Sequence, residues 1–135
     1  MIKIRDLNHV SLVVSDFEAC RRFYNGVLGM DEVKTPFRHR VIWLRKGGAE
    51  IHCIHAEEAA QQPGDAGANP TPERDAARAR HLAFEVEDMD ETMRTLQEHG
   101  VEIVIGPRDR GDGVSQMYCF DPDGHLVELC TATPT

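Results

Sequence analysis

The sequence is short of basic residues, aromatics and serine, and it has no long apolar run; each shortage closes off a class of function. Lys and Arg number 15 against 23 Asp and Glu, a net charge of −8. A phosphate backbone would be repelled unless a local basic patch compensated, so no nucleic-acid partner is expected. No stretch approaches the roughly 20 apolar residues of a membrane span, and the opening Met-Ile-Lys-Ile-Arg-Asp lacks the apolar run of a secretory leader. No membrane association and a cytoplasmic location are therefore the expectation. The 4 cysteines, Cys20, Cys53, Cys119 and Cys130, form no Cys-x-x-Cys pair. That excludes a zinc ribbon or redox dithiol and leaves them as small buried apolar residues, Cys130 being placed near a possible ligand, Glu128. None of Ser11, Ser15 and Ser115 lies in a nucleophile-elbow motif, and the glycines at 47, 48, 111 and 113 suit turns better than a phosphate cradle. Aromatics make up only 6% of the chain, leaving Trp43, Phe37 and Tyr118 as the side chains on which a sequestered planar drug could stack.

What is present is an internal repeat. His9-Val-Ser-Leu-Val-Val-Ser-Asp16 aligns without a gap on His81-Leu-Ala-Phe-Glu-Val-Glu-Asp88, at an offset of 72 residues (81 − 9). Apolar residues alternate up to the Asp, as in a half-buried strand, and the Asp can cap a following helix; Glu91 would complete a capping box. A second match aligns Glu-Ile-His52-Cys-Ile with Leu-Val-Glu128-Leu-Cys at an offset of 76 (128 − 52). Each half thus begins with a His and ends with another metal-ligand type, a recurrence much harder to get by chance than a lone His.

The chain order predicts two copies of one strand–helix–three-strand unit. Leu7–Val14 reads as a strand, and Phe17, Cys20, Phe23, Tyr24, Val27 and Leu28 fit a 3.6-residue period stopped by Gly29. Strands are predicted at 30–35, 40–45 and 50–55, the last two joined by a turn at Lys46-Gly47-Gly48. Residues 56–79 turn to Ala, Gln, Pro, Gly, Asp and Arg and read as a linker or lid loop, with a turn or two of helix near Ala56–Gln61. A strand at His81, a helix from Asp88 to Glu98 with Met89, Met93 and Leu96 inward, and strands at 101–105, 115–120 and 126–131 complete the second copy. Gly106-Pro107 and 108–113 read as a loop. The expectation is α+β: a first βαβββ module over 1–55, the linker over 56–79, and a second module over 80–135, making one domain.

Strand alternation puts His9 on a face with Ser11 and Val13, His81 with Ala83 and Glu85, and Glu128 with Leu126 and Cys130. The other faces carry Val10, Leu12, Val14 and Leu82, Phe84, Val86, suited to packing under helices. Imidazoles with a carboxylate suit zinc, nickel, cobalt, manganese or iron and leave coordination positions open for substrate. His52 is a candidate fourth ligand.

The stretches Leu7-Asn-His9-Val-Ser-Leu-Val-Val-Ser-Asp16, Phe23-Tyr24, Val27-Leu28-Gly29, Arg80-His81-Leu-Ala-Phe-Glu-Val86 and Phe120-Asp-Pro-Asp-Gly-His-Leu-Val-Glu128-Leu resemble the vicinal oxygen chelate superfamily. That superfamily comprises glyoxalases, extradiol dioxygenases, an epimerase, fosfomycin-resistance thiol transferases and bleomycin-resistance proteins. The resemblance implies a curved mixed sheet of paired βαβββ modules, a divalent metal held by His9, His81 and Glu128, and a homodimer. It sets His52 where glyoxalase I has a carboxylate, which removes one candidate base, and Tyr118 where the fosfomycin enzymes contact substrate.

The expected function is a glyoxalase-like lyase or isomerase acting on a small molecule that chelates the metal through two oxygens. Glu128 would be ligand and proton carrier, with Tyr118 beside it as a second catalytic residue. A small Fe(II) dioxygenase, an epoxide-opening thiol transferase and a metal-free drug-binding protein are the alternatives. Arg74, Arg78, Arg80, Arg108 and Arg110 could engage an anionic substrate group, but a solvated charged loop is the favoured explanation. His39, His55, His99 and His125 are expected to be structural or solvent-facing.

Overall fold

The computed structural model describes residues 1–38, 40–59 and 79–132. Most of the expected linker, with Arg74, Arg78 and His39, lies outside the described residues. The chain divides into two compact units, Met1–Gln62 and Pro63–Thr135.

In the first unit, β1 (Val10–Val14) leads through α1 (Phe17–Arg21) to β2 (Asp31–Val33), β3 (Val41–Lys46) and β4 (Ala49–His55). The sheet order is β1-β4-β3-β2, with β1 parallel to β4 and the other pairs antiparallel. The second unit repeats this: β5 (Leu82–Glu85), α2 (Met89–Glu98), β6 (Ile103–Asp109), β7 (Ser115–Phe120) and β8 (Leu126–Cys130), in the order β5-β8-β7-β6. In each unit the first two strands lie at opposite edges of the sheet, so the segment joining them has the width of the sheet to cross, which a tight hairpin cannot do and the helical segment can. The expected βαβββ repeat is therefore the observed one.

The two repeated aspartates cap their helices. Asp16 accepts from the amide of Glu18 at 2.9 Å, and Asp88 from the amide of Glu91 at 2.8 Å. The first helix departs from the expected 3.6 period. After Arg21 it widens into a π-helical segment, Arg22–Val27, with the Leu28 amide reaching back to the Phe23 carbonyl at 2.9 Å. The sequence reason is the adjacent pair Phe23-Tyr24, both buried and packed edge to face at 4.8 Å. A wider turn lets neighbouring residues share an inward face, and Asn25-Gly26, poor helix formers, give little resistance. Gly29, at φ +74°, closes the segment in a conformation side chains rarely adopt.

A second departure concerns the expected loop at 106–113. Strand β6 runs through Gly106-Pro107 to Asp109 and pairs with β7 as far as Asp109↔Ser115, leaving the loop to begin at Arg110. Register shifts between Ile103 and Ile105, and between Ile105 and Arg108, absorb the proline, which has no N–H to give the ladder. Gly106 is indispensable there: a Cβ on it would stand 2.6 Å from the Gln116 carbonyl oxygen.

Alternation along the strands sorts each sheet into two faces. Leu12, Val14, Ile42, Leu44, Ile51 and Cys53 are buried, and the Cys20 thiol of α1 lies 3.1 Å from that of Cys53, so this face meets the helix. Ala56 to Glu58 form only a turn, and the rest of the helix considered there falls outside the described residues. No helix among the described residues is long and apolar enough to cross a membrane.

Candidate metal centre

The face of the first sheet away from α1 carries His9, Glu50 and His52. Register pairing of Val10 with Ile51 brings His9 alongside Glu50 at the mouth of the parallel pair, and His52 lies one alternation further along β4. Ligand-capable atoms of all three lie within 4.8 Å of one another. The rings form a column: His9 stacks on His52 at 3.9 Å, and His52 on Trp43, its register partner in β3, at 4.2 Å. Phe37 packs edge-on against Trp43 at 5.8 Å. His9 donates from Nδ1 to the Asn8 side-chain oxygen at 2.7 Å, which leaves Nε2 with its lone pair.

Glu50 is the residue that sequence reasoning missed. Its carboxylate meets Arg45 on one oxygen and His52 Nε2 at 3.1 Å on the other. The hydrogen bond from Arg45 holds its pKa below the usual carboxylate range, against the opposing effect of burial. The signal was available: Glu50 and His52 are two apart on one strand, hence on one face.

In the second unit, His81 Nε2 lies 2.9 Å from Glu128 Oε2. The ring is oriented from behind, since Nδ1 donates to the Ala79 carbonyl at 2.8 Å. With Nδ1 carrying the proton, Nε2 of a neutral imidazole presents a lone pair to a carboxylate. A cation is what reconciles the two: a proton, giving an ion pair, or a divalent metal bound by both. Imidazole and carboxylate are both ligand types for divalent first-row metals, and at 2.9 Å the two stand close enough to share one. The residues therefore fit a divalent metal on chemistry as well as distance.

Tyr118 faces Glu128 across the β7–β8 ladder and packs its ring edge-on against His81 at 5.4 Å. It is 1% exposed, enclosed with Leu126 by Ala79, Val104, Ile105 and Phe120. Burial first, and the charge of Glu128 second, push its pKa up and keep the phenol neutral. Gln116, two residues earlier on the same face, donates from Nε2 to the Tyr118 hydroxyl at 3.0 Å.

The cysteines are not part of this chemistry. Cys130 shares the Glu128 face, as alternation requires, but its thiol is directed to the Phe84 carbonyl at 3.7 Å and burial raises its pKa. Burial pushes Cys119 up to about 12. Among the arginines considered for anion binding, Arg110 is held by Asp112 at 2.6 Å. Of the other histidines, His55 is buried against Phe17 on the helix side of β4 and His99 is exposed at the end of α2, as expected.

Two of the sequence-expected ligands, His9 and His52, thus come together in the first unit, and two, His81 and Glu128, in the second. Comparison with known proteins places the whole chain among relatives of similar length and fold. Glyoxylase I 4 of Arabidopsis thaliana is 29% identical over 132 residues, covering 96% of this chain and 72% of that protein. Metallothiol transferase FosB of Staphylococcus epidermidis is 30% identical over 136 residues, covering 98% and 85%. Among solved structures, an integron cassette protein from the mobile metagenome of V. cholerae superposes with a TM-score of 0.72 at 28% identity, covering 98% of this chain and 99% of that one. The sequence profile of the Glyoxalase/Bleomycin resistance protein/Dioxygenase superfamily matches residues 6–129, and the chain belongs to that superfamily.

Proposed function

We propose that this protein is a metal-dependent enzyme of the vicinal oxygen chelate type, with His9 and His52 of the first unit and His81 and Glu128 of the second as candidate metal ligands, working as a glyoxalase-like lyase or isomerase. Its substrate is a small molecule with two neighbouring oxygens. The observation that carries the reading is the orientation of His81, whose Nδ1 is committed to Ala79 while Nε2 meets Glu128 at 2.9 Å. The metal, zinc, nickel, cobalt, manganese or iron, would supply Lewis acidity to the bound oxygens.

The remaining work falls to the chain's own groups. Glu128, 5% exposed, is the carboxylate placed to take or return a proton in a site with little water. Tyr118, held as a neutral phenol, stands across the ladder from Glu128 and offers its proton to that carboxylate. Glu50 supplies the first unit with a carboxylate beside His52, and Arg45 keeps it ionised. That supports the lyase reading.

A second reading, addition of a thiol to an epoxide, is favoured by the 30% identity to a metallothiol transferase and by Tyr118 beside Glu128. A homodimer belongs to both readings. The test is metal content by mass spectrometry on protein purified without a metal-affinity tag, for wild type, His81→Ala and Glu128→Ala. About one metal per chain in wild type, lost in both variants, is expected; a wild type that is metal-free and cannot be loaded overturns the proposal. Parallel assays of lactoylglutathione formation and of thiol addition to an epoxide then separate the two reactions.

A further inference from the structure

Gln116 is a polar side chain whose burial nothing above explains. It is 2% exposed, on the inner strand β7, and it is not a metal-ligand type of choice. Its Nε2 donates to the Tyr118 hydroxyl, while its Oε1 is buried with no hydrogen-bond partner among the described residues. A buried orphan acceptor is a cost that a leucine at this position would avoid, so the amide must return something.

What it returns is direction. A phenol has one proton and accepts through its oxygen lone pairs. Because Gln116 is the donor, the Tyr118 oxygen is the acceptor in that contact and the phenol proton is left for another partner. Glu128 stands opposite Tyr118 in the ladder, and a hydrogen bond to it is among the causes that keep the phenol neutral. The reverse amide orientation would draw the phenol proton toward Gln116 and leave the Glu128 carboxylate without it. The chain of donors therefore runs one way, from Gln116 to Tyr118 to Glu128, with the edge of the Tyr118 ring also against His81.

We propose that Gln116 is a positioning residue for the metal centre, acting through Tyr118 to fix the Glu128 carboxylate beside His81. The inference rests on the chelate reading above. Groups hydrogen-bonded behind metal ligands commonly alter metal affinity by about 10- to 100-fold when removed.

The test is a double-mutant cycle on zinc affinity, measured by competition with a zinc-binding dye in metal-stripped full-length protein. The variants are Gln116→Leu, Tyr118→Phe and the pair, with Gln116→Met as the alternative if leucine impairs folding, and thermal melts run alongside. Gln116→Leu is expected to weaken zinc binding about tenfold with the melting temperature unchanged or raised, and to weaken it no further once Tyr118 is Phe. A merely structural role would instead lower the melt and spare zinc affinity. Unchanged affinity in Gln116→Leu, or an equal loss in the Tyr118→Phe background, overturns the inference while leaving the chelate reading intact. Wild-type protein that binds no zinc, nickel, cobalt, manganese or iron overturns both.

Discussion

Replacing Gly106 by alanine should destabilise the second unit more than its position in an exposed stretch of strand suggests. Two costs add. The residue sits at φ +89°, and holding a non-glycine residue in such a region costs about 1–3 kcal/mol. The new Cβ would lie 2.6 Å from the Gln116 carbonyl oxygen and 3.0 Å from Met117 Cα. Both are backbone atoms of β7, the strand held between β6 and β8, so neither can rotate away as a side chain would. Forcing such a contact apart costs about another 1–3 kcal/mol. The total is about 4 kcal/mol, and for a chain of this length each kcal/mol corresponds to about 3–4 °C of melting temperature, hence a drop of about 14 °C. Gly29 provides the comparison: its φ is +74°, but a methyl group added there would meet nothing within 4 Å, so Gly29→Ala should lose only the conformational share. Urea and thermal unfolding of the two variants, followed by circular dichroism, measure the difference. If Gly106→Ala melts within about 2 °C of wild type, or no lower than Gly29→Ala, the close approach of β6 and β7 is wrong.

The Cys119 thiol has its pKa raised from 9.0 to about 12, chiefly by burial. A raised folded value means the native state holds the proton more tightly. The associated stability is present below about pH 9 and lost as pH climbs toward 12, with an upper bound of about 4 kcal/mol. Cys119→Val should flatten the fall in urea stability between about pH 8.5 and 10.5, and an unchanged slope would refute this. Asp88→Ala, which removes the acceptor for the Glu91 amide, should cost about 1 kcal/mol in urea melts, with Asp88→Asn retaining most of it; equal melts for Ala and wild type would show the cap to be idle.

Different parts of this architecture were written at different ranges in the chain. The strand–helix starts at His9 and His81 were legible because each is local: alternation sets a face, and an aspartate at the right place caps the next helix. The pairing of His81 with Glu128 was legible at longer range only because the repeat supplied a second copy against which to check it. Where a feature depended on a contact between non-repeated residues, the sequence was silent. The π-helical widening at Arg22–Val27 follows from two adjacent rings that both had to be buried, and a search for 3.6-residue spacing cannot see it. Strand β6 continues past Gly106-Pro107 because register shifts against β7 accommodate a residue that composition reads as a breaker. Glu50 was hidden by its charge, since an acidic residue beside a glycine turn looks solvated until Arg45 and His52 are seen to hold it. Gln116 was hidden for a similar reason: its partner Tyr118 is two residues away, but the burial that gives their contact weight comes from β8 and β6, which only the fold brings alongside. The candidate ligands were thus readable by type and repetition, and the side chains packed against them only by register.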